Sequence, residues 1–110
     1  MPGLNVASTL RRTVEALPPG YADMILLADD GSTDDTVQVA ASLGVRVFSH
    51  GRNRGYGAGQ KTTYREALRL GADVAVMVHP DFQYKPDLMP VMASMVVHGG
   101  YDIVLASRML

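Results

Sequence analysis

The sequence contains no cysteine and no tryptophan, and only 6% of its 110 residues are aromatic. The lack of cysteine excludes disulfides and thiolate zinc sites and favours a reducing compartment. The chain also lacks an excess of either charge, because ten basic and eleven acidic side chains leave a net charge of −1. Binding to phosphate backbones or anionic lipid needs concentrated Lys and Arg, so the composition predicts no nucleic-acid partner.

Long apolar runs are missing as well. None approaches the roughly 20 residues that a membrane-spanning helix requires, and the start, MPGLNVAS, lacks the charge and apolar stretch of a signal peptide. We therefore expect no membrane span in this chain and a cytoplasmic location. With 47% hydrophobic residues, the length allows one modest core, so residues 1–110 are expected to form a single domain.

The apolar residues that are present form four short, continuous runs, a pattern typical of strands covered on both faces of a parallel sheet. The predicted strands are 24–28, 45–48, 74–78 and 102–106. Helical spacing occurs between and before them, at 8–17, 33–43, 58–70 and 87–97. A capping box of Ser32 and Asp35 is predicted to start the second helix. This alternation predicts an α/β fold, a three-layer α/β sandwich with a mainly parallel sheet.

The first segment whose residues could bind a ligand is ADDGSTDD, residues 28–35. The preceding strand places Asp29 and Asp30 at its carboxyl end, where ligand crevices form in open α/β sheets. Gly31 permits a tight turn before the next helix. Carboxylates at this point can accept hydrogen bonds from a ribose hydroxyl or a base N–H. Asp30 and Asp34 could equally serve only to favour the positive end of the helix.

The second segment is HGRNRGYGAGQKT, residues 50–62, in which glycines alternate with Arg52, Arg54 and Lys61. Backbone N–H groups, a helix N-terminus and local cations together suit a diphosphate. The spacing matches neither a P-loop nor a GxGxxG turn. A surface loop with solvated charges is the alternative, and His50 is predicted to face solvent. For Tyr56 two functions stay open, packing or stacking on a base.

The third segment is HPDFQY, residues 79–84, which directly follows a predicted strand. Mg²⁺ or Mn²⁺ prefers carboxylate oxygen, and Mn²⁺ also accepts imidazole, so Asp81 and His79 are candidate metal ligands. A cation there would neutralise the phosphates of a nucleotide. The alternative is a plain turn, since Pro80 and Asp81 are common turn residues.

Taken together, ILLADDGSTDDT, NRGYGAGQKTTYREAL, ADVAVMVHPDFQYKPDLMPVM and DIVLASRML resemble the donor-binding half of family 2 glycosyltransferases with the GT-A fold. The similarity is to the dolichyl-phosphate mannose synthase and bactoprenol glucosyltransferase type, and it covers nearly the whole chain. It implies a partial GT-A, Rossmann-like fold, a UDP- or GDP-hexose as partner, and Mg²⁺ or Mn²⁺ as cofactor.

The resemblance also implies roles for individual residues. Asp29 and Asp30 would hold the nucleoside, and the glycine loop would lie near the phosphates. Asp81 would ligate the metal, and Gln83 would line the sugar side. The expected nucleotide-sugar contacts are Asn5, Asp29, Asp30, Gly31, Arg54, Gly57, Lys61 and Gln83, with Asp81 and His79 as the metal ligands.

Departures from the family pattern modify these expectations. His79 stands at the first aspartate of the family's DxD motif, which lowers the negative charge available to a cation. Val6 stands where the P-x-x-N-E turn of the family has glutamate. In the family an apolar first strand runs into this turn, and a later region supplies the acceptor site and catalytic base. We therefore expect the first strand to be missing, and the remaining strands to pair directly or to share exposed edges in a homo-oligomer such as a dimer.

Three functions remain open from the sequence. The leading one is a donor-binding glycosyltransferase domain that transfers a hexose to an acceptor such as a polyprenyl phosphate, incomplete for catalysis alone. The alternatives are a non-catalytic nucleotide-binding or assembly module and a nucleotidyltransferase. The catalytic residues are unknown, because neither Asp102 nor Glu66 belongs to a recognisable motif.

Overall fold

The fold is an α/β arrangement of three strands and four helices, seen in a computed structural model that describes residues 1–107. The strands are β1 (Pro2–Gly3), β2 (Leu26–Asp29) and β3 (Arg46–Ser49). The helices are α1 (Ala7–Glu15), α2 (Thr36–Ser42), α3 (Tyr56–Arg69) and α4 (Met89–Gly99), with a 3-10 turn at Pro86–Leu88. None of the helices in residues 1–107 has the length and apolar character needed to cross a membrane.

The sheet is parallel throughout and has the order β1-β2-β3. Pro2 lies opposite Ala28, and Asp29 lies opposite Ser49. Backbone hydrogen bonds continue one residue past the strand ends, from Asp30 N–H to the Gly3 carbonyl and from His50 N–H to the Asp29 carbonyl, both 2.9 Å. The carboxyl ends of the three strands therefore form one edge.

Helices cover both faces of β2. Successive residues of a strand point to opposite faces, and Leu27 is fully buried in a cluster with Leu10 of α1 and Ala40 of α2. Ala28, also fully buried, faces α3, where a Cβ added at Gly59 would come within 4.0 Å of it. The sheet thus lies between two helical layers, with α1 and α2 on one face and α3 on the other. This arrangement confirms the predicted α/β sandwich with a parallel sheet.

Two of the four predicted strands are not strands within the described residues. Residues 74–78 and 102–106 have no ladder pairing there, although Val76 and Val78 pack against the core. An apolar run can bury its side chains without a neighbouring strand, so apolarity alone does not establish pairing. Of the predicted strands, β2 and β3 do pair directly, and Pro2–Gly3, where no strand was expected, pairs with β2. A shared edge in a homo-oligomer stays a prediction. Residues 108–110, the end of DIVLASRML, lie outside the described residues.

The start of α2 also differs from the prediction. Asp35 is the N-cap residue, and its side chain makes no capping hydrogen bond. Instead, Asp34 Oδ1 accepts the backbone N–H of Thr36 at 3.0 Å and also the Thr36 hydroxyl. Ser32 Oγ accepts the backbone N–H of Asn5 at 2.9 Å. The capping box of Ser32 and Asp35 is wrong because α2 begins three residues later than predicted, and Ser32 contacts the turn before α1.

The close approach of α3 to β1 generates a prediction about two glycines. A Cβ on Gly59 would lie 2.9 Å from the Pro2 Cβ, whereas a Cβ on Gly57 would meet nothing within 4 Å. We expect Gly59→Ala to lower the free energy of unfolding by about 1–3 kcal/mol through overpacking. Gly57→Ala should raise it by up to about 1 kcal/mol through helix propensity. Urea unfolding of both variants checks this, and equal effects would contradict the close packing of Gly59 against Pro2.

Candidate functional site

The carboxyl edge of the sheet brings three of the predicted segments together. Residues 29–34 follow β2, residues 50–55 follow β3 and lead into α3, and residues 79–84 reach both α1 and α3 through side-chain contacts. Asn5 lies in the turn after β1, at the same edge. Hydrogen bonds between these segments join them at this edge.

Asp30 holds the glycine loop. Its side chain is only 9% exposed and accepts the backbone N–H groups of Arg54, at 2.8 Å, and Gly55, at 2.9 Å. His50 adds a third contact, with Nδ1 at 2.8 Å from Asp30 Oδ1 and Nε2 at 2.8 Å from the Thr62 hydroxyl. The His50 side chain is 6% exposed, so the prediction that it faces solvent is wrong. The hydrogen bond to the buried carboxylate of Asp30 explains why the His50 ring is itself buried.

These contacts determine the ionisation of Asp30. Burial raises the pKa of this carboxyl, but the hydrogen bonds from His50 and from the N–H groups of Arg54 and Gly55 outweigh it, so the pKa lies below its ordinary value. The charged carboxylate is therefore the form that orders the loop. Its oxygens are occupied by protein donors, and the expected nucleoside contact of Asp30 stays a prediction.

Asp29 and Gly31 shape the turn after β2. Asp29 is 2% exposed, and its carboxylate accepts the Ser32 N–H at 3.2 Å and the Ser49 hydroxyl at 3.1 Å. Gly31 has φ +86°, and a Cβ there would lie 2.8 Å from the Arg52 backbone. Only glycine fits both constraints. This contact packs the turn after β2 directly against the loop after β3.

Asn5 fixes the neighbouring turn. It has φ +52°, a left-handed conformation that asparagine tolerates better than most residues. Its Oδ1 accepts the N–H groups of Thr33, at 2.8 Å, and Asp34, at 3.3 Å. Asn5 thus connects the end of β1 to the loop before α2, and its expected contact with the nucleotide stays a prediction.

The HPDFQY loop is attached to the first turn of α3. His79 Nε2 lies 2.9 Å from the Tyr56 hydroxyl, which accepts a hydrogen bond from Gln60 Nε2 at 2.8 Å. The His79 ring stacks on Tyr56, with centroids 5.4 Å apart, and contacts Tyr84 at 5.0 Å. Partial burial, then the nearby Tyr84, raises the pKa of Tyr56, so this hydroxyl keeps its proton at neutral pH.

The same loop is attached to α1 on its other side. The Thr9 hydroxyl donates to the Pro80 carbonyl at 2.7 Å, and the Arg12 guanidinium lies 3.9 Å from the centre of the Phe82 ring. Phe82 has φ +61°, a conformation that a bulky residue adopts only when its surroundings impose it. These contacts fix the loop that carries His79 and Asp81, the two expected metal ligands.

The donor set at this loop fits a divalent cation poorly. Asp81 is exposed, but one of its oxygens accepts the Gln83 N–H at 3.1 Å. His79 is the second expected ligand, and its Nε2 already faces the Tyr56 hydroxyl. In the part of the chain that the structure describes, no group of three or more His, Asp or Glu side chains could hold a metal ion. The metal-ligand roles of Asp81 and His79 stay predictions.

Arg54, Gly57, Lys61 and the side chain of Gln83 are the expected contacts that remain accessible. All four residues are exposed, and neither Arg54 nor Lys61 takes part in an ion pair among residues 1–107. The N–H of Gly57, in the first turn of α3, has no acceptor in the same residues. The side chains of Arg54 and Lys61 and the N-terminus of α3 are therefore available beside the loop that Asp30 orders.

Sequence reasoning missed the residues that join the segments: His50, Tyr56, Gln60 and Thr9. A signal existed for the pair on α3, because residues i and i+4 of a helix are neighbours. The contacts of His50 and Thr9 cross between segments 20 and 71 residues apart in the chain. No periodicity within one segment indicates such contacts.

The lowered pKa of Asp30 predicts how stability depends on pH. At neutral pH we expect Asp30→Asn to lower the free energy of unfolding by about 1.5–3 kcal/mol, since hydrogen bonds to a charged group are lost. The folded pKa lies below the unfolded value of about 3.9. The charge-dependent stability is thus complete above about pH 4 and is lost as pH falls through the folded pKa.

Urea unfolding at a series of pH values checks this dependence, and the difference between the wild type and Asp30→Asn should shrink in acid. Asp35→Asn is the matched control, because the Asp35 side chain is exposed and makes no capping hydrogen bond. It should change stability by less than about 0.5 kcal/mol. A difference between wild type and Asp30→Asn that stays constant into acid would rule out the role of the charge.

Comparison with solved structures supports the fold. Glucosyl-3-phosphoglycerate synthase from Mycobacterium tuberculosis, crystallised with UDP, has a TM-score of 0.70 and 25% identity, covering 89% of this chain and 38% of that one. A crystal structure of the same enzyme with Mn²⁺, UDP-glucose and phosphoglyceric acid has the same TM-score, identity and coverage. The similarity extends over nearly all of the chain and about two fifths of the enzyme.

Two curated relatives match as well. An uncharacterised protein of Methanocaldococcus jannaschii is 30% identical over 110 residues, 100% of this chain and 45% of its own length. The UDP-N-acetylglucosamine–dolichyl-phosphate N-acetylglucosaminyltransferase of Methanococcus voltae is 26% identical over 125 residues, 98% of this chain and 50% of its own length. This chain therefore spans about half the length of these relatives. The profile of Glycosyl transferase family 2 matches residues 1–110, and the chain belongs to that family.

Proposed function

We propose that the chain binds a nucleotide diphosphate sugar, a UDP- or GDP-hexose, at the carboxyl edge of its sheet. In this proposal it is the donor-binding part of a glycosyltransferase that moves the hexose to an acceptor such as a polyprenyl phosphate. One observation carries the proposal: Asp30 holds the N–H groups of Arg54 and Gly55, and the next residue, Tyr56, contacts His79. Three distant segments are thereby joined at one edge.

The charges at this edge suit a diphosphate. Arg54 and Lys61 are exposed cations without ion-pair partners in residues 1–107. The N–H groups at the start of α3, including that of Gly57, add the positive end of a 14-residue helix. Asp30 acts in this account as a positioning residue that fixes the loop carrying these groups. Asn5, Asp29 and Gly31 shape the adjacent turns, and Gln83 would face the sugar.

The relatives support the choice of substrate class. The similar synthase from M. tuberculosis was crystallised with UDP and with UDP-glucose. The relative from M. voltae is named for transfer from UDP-N-acetylglucosamine to dolichyl phosphate. We propose a polyprenyl phosphate acceptor from the name of this relative, whose match covers 98% of the chain and 50% of its own length.

The proposed chemistry is displacement of a nucleoside diphosphate by the acceptor oxygen. A base removes the proton of the acceptor where it carries one, and cationic groups stabilise the departing diphosphate. Arg54, Lys61 and the N–H groups of α3 would supply that stabilisation. We assign no base within this chain, since Glu66 pairs with Arg69 at 2.7 Å and Asp102 belongs to no recognisable motif.

Calorimetric titration with UDP and GDP, and with their hexose derivatives, tests the proposal. We expect Arg54→Met and Lys61→Met each to weaken nucleotide diphosphate binding by about tenfold, as loss of one charged contact implies. Arg65→Met is the matched control, because Arg65 is an exposed cation of the same helix without an ion pair in residues 1–107. It should bind like the wild type.

The same titration separates the rival functions. A wild-type chain that binds none of these nucleotides is an assembly module, and the proposed function is then wrong. Tight binding of a nucleoside triphosphate, with pyrophosphate released on addition of a sugar phosphate, would instead identify a nucleotidyltransferase.

A further inference from the structure

The HPDFQY loop presents an imidazole where the family pattern has a carboxylate. His79 and Asp81 lie two residues apart, and Asp81 is the only carboxylate of this loop. One Asp81 oxygen already accepts the Gln83 N–H. A divalent cation held by these residues would need His79 as a second ligand, so the state of the His79 ring decides whether such a site exists.

The contacts of Gln60 and Tyr56 determine where the His79 proton lies. Gln60 Nε2 is an amide nitrogen, which can only donate, so the Tyr56 oxygen accepts at this 2.8 Å contact. The Tyr56 hydroxyl keeps one proton to donate, and His79 Nε2, 2.9 Å away, is the acceptor that its contacts within the described residues offer. In a neutral imidazole one nitrogen accepts and the other carries the proton. With Nε2 as acceptor, the proton is on Nδ1.

The surroundings hold the ring in this arrangement. Tyr56 stacks on His79 with an angle of 18° between the ring planes, and Tyr84 covers the ring at 5.0 Å. The Thr9 hydroxyl fixes the next residue, Pro80. A metal ligand must offer a free lone pair, and here one nitrogen accepts a hydrogen bond and the other bears hydrogen. His79 in this state is a hydrogen-bond donor and not a metal ligand.

We propose that Gln60 and Tyr56 hold His79 as the Nδ1–H tautomer, and that this N–H donates to an oxygen of the bound nucleotide sugar. The chain then binds its donor substrate without requiring a divalent cation. The ligand part rests on the proposed function, whereas the tautomer is a property of the chain alone. Charge neutralisation falls to Arg54, Lys61 and the start of α3.

Nitrogen NMR of the imidazole in mildly alkaline buffer, without ligand, tests the tautomer. We expect the wild type to show Nδ1–H. Gln60→Glu should convert it to Nε2–H, because a carboxylate accepts the Tyr56 proton and leaves the phenol oxygen to accept from His79. Tyr64→Phe, an exposed tyrosine of the same helix, is the control and should leave the spectrum unchanged. An Nε2–H tautomer in the wild type, or no response to Gln60→Glu, overturns the proposal.

Calorimetry with UDP in EDTA and in Mn²⁺ tests the ligand part. The wild-type dissociation constant should differ by about threefold or less between the two buffers. In EDTA, Tyr56→Phe should weaken UDP binding by about two- to tenfold, the value of one hydrogen bond, with Tyr64→Phe unchanged. His79→Asp, which creates a pair of carboxylates, should make binding depend on Mn²⁺.

The two proposals fail in different ways. UDP binding by the wild type only in the presence of Mn²⁺ would overturn cation independence and leave the proposed function standing. Absence of UDP binding in both buffers would overturn the proposed function and, with it, the role of His79 toward a ligand. In either case, the NMR experiment tests the Nδ1–H tautomer of His79 independently of UDP binding.

Discussion

A buried carboxylate that needs hydrogen-bond donors organises the carboxyl edge of this sheet. Burial of Asp30 is costly unless protein groups replace the water it loses. The N–H groups of Arg54 and Gly55 and the ring of His50 replace that water. Because these donors follow β3, meeting the requirement of Asp30 forces the glycine loop against the end of β2. The direction of α3 then follows, since Gly55 is its N-cap residue.

Close backbone approach is the second constraint. Gly31 lies against the Arg52 backbone, and Gly59 lies against Pro2. A methyl group on Gly31 would push the glycine loop away from Asp30, which would then not reach its donors. A methyl group on Gly59 would push α3 away from β1. The glycines of this chain thus differ in role. Gly57, which a Cβ would not disturb, has a backbone N–H without an acceptor in residues 1–107, at the start of α3.

Much of the architecture could be predicted from the sequence, because it depends on local patterns. Continuous apolar runs predicted β2 and β3, and helical spacing predicted four helices at nearly the observed places. Residues 74–78 and 102–106 have the same apolar character as the true strands, yet they pair with no strand in residues 1–107. A ladder requires a neighbour with free backbone groups, and composition does not reveal whether that neighbour exists.

The site could be predicted only in part, for a related reason. Placing Asp29 and Asp30 at a strand end needed only the strand assignment, and the segments do meet at one edge. The burial of His50 and the contact of Gln60 with Tyr56 and His79 arise from side chains of different elements. Such contacts also determine which predicted ligands are still free. The side chains of Asp30 and His79 are engaged within the protein, whereas those of Arg54 and Lys61 take part in no ion pair in residues 1–107.

The central claim is that residues after β2, after β3 and at 79–84 form a single binding surface for a nucleotide diphosphate. Amide chemical shifts of the labelled chain, recorded during titration with UDP, test it most directly. The account predicts that the amides of Gly55, Gly57 and His79 shift together, with one common dissociation constant. Shifts confined to the opposite edge of the sheet, such as residues 18–23 before β2, or separate dissociation constants for the three amides, would contradict it.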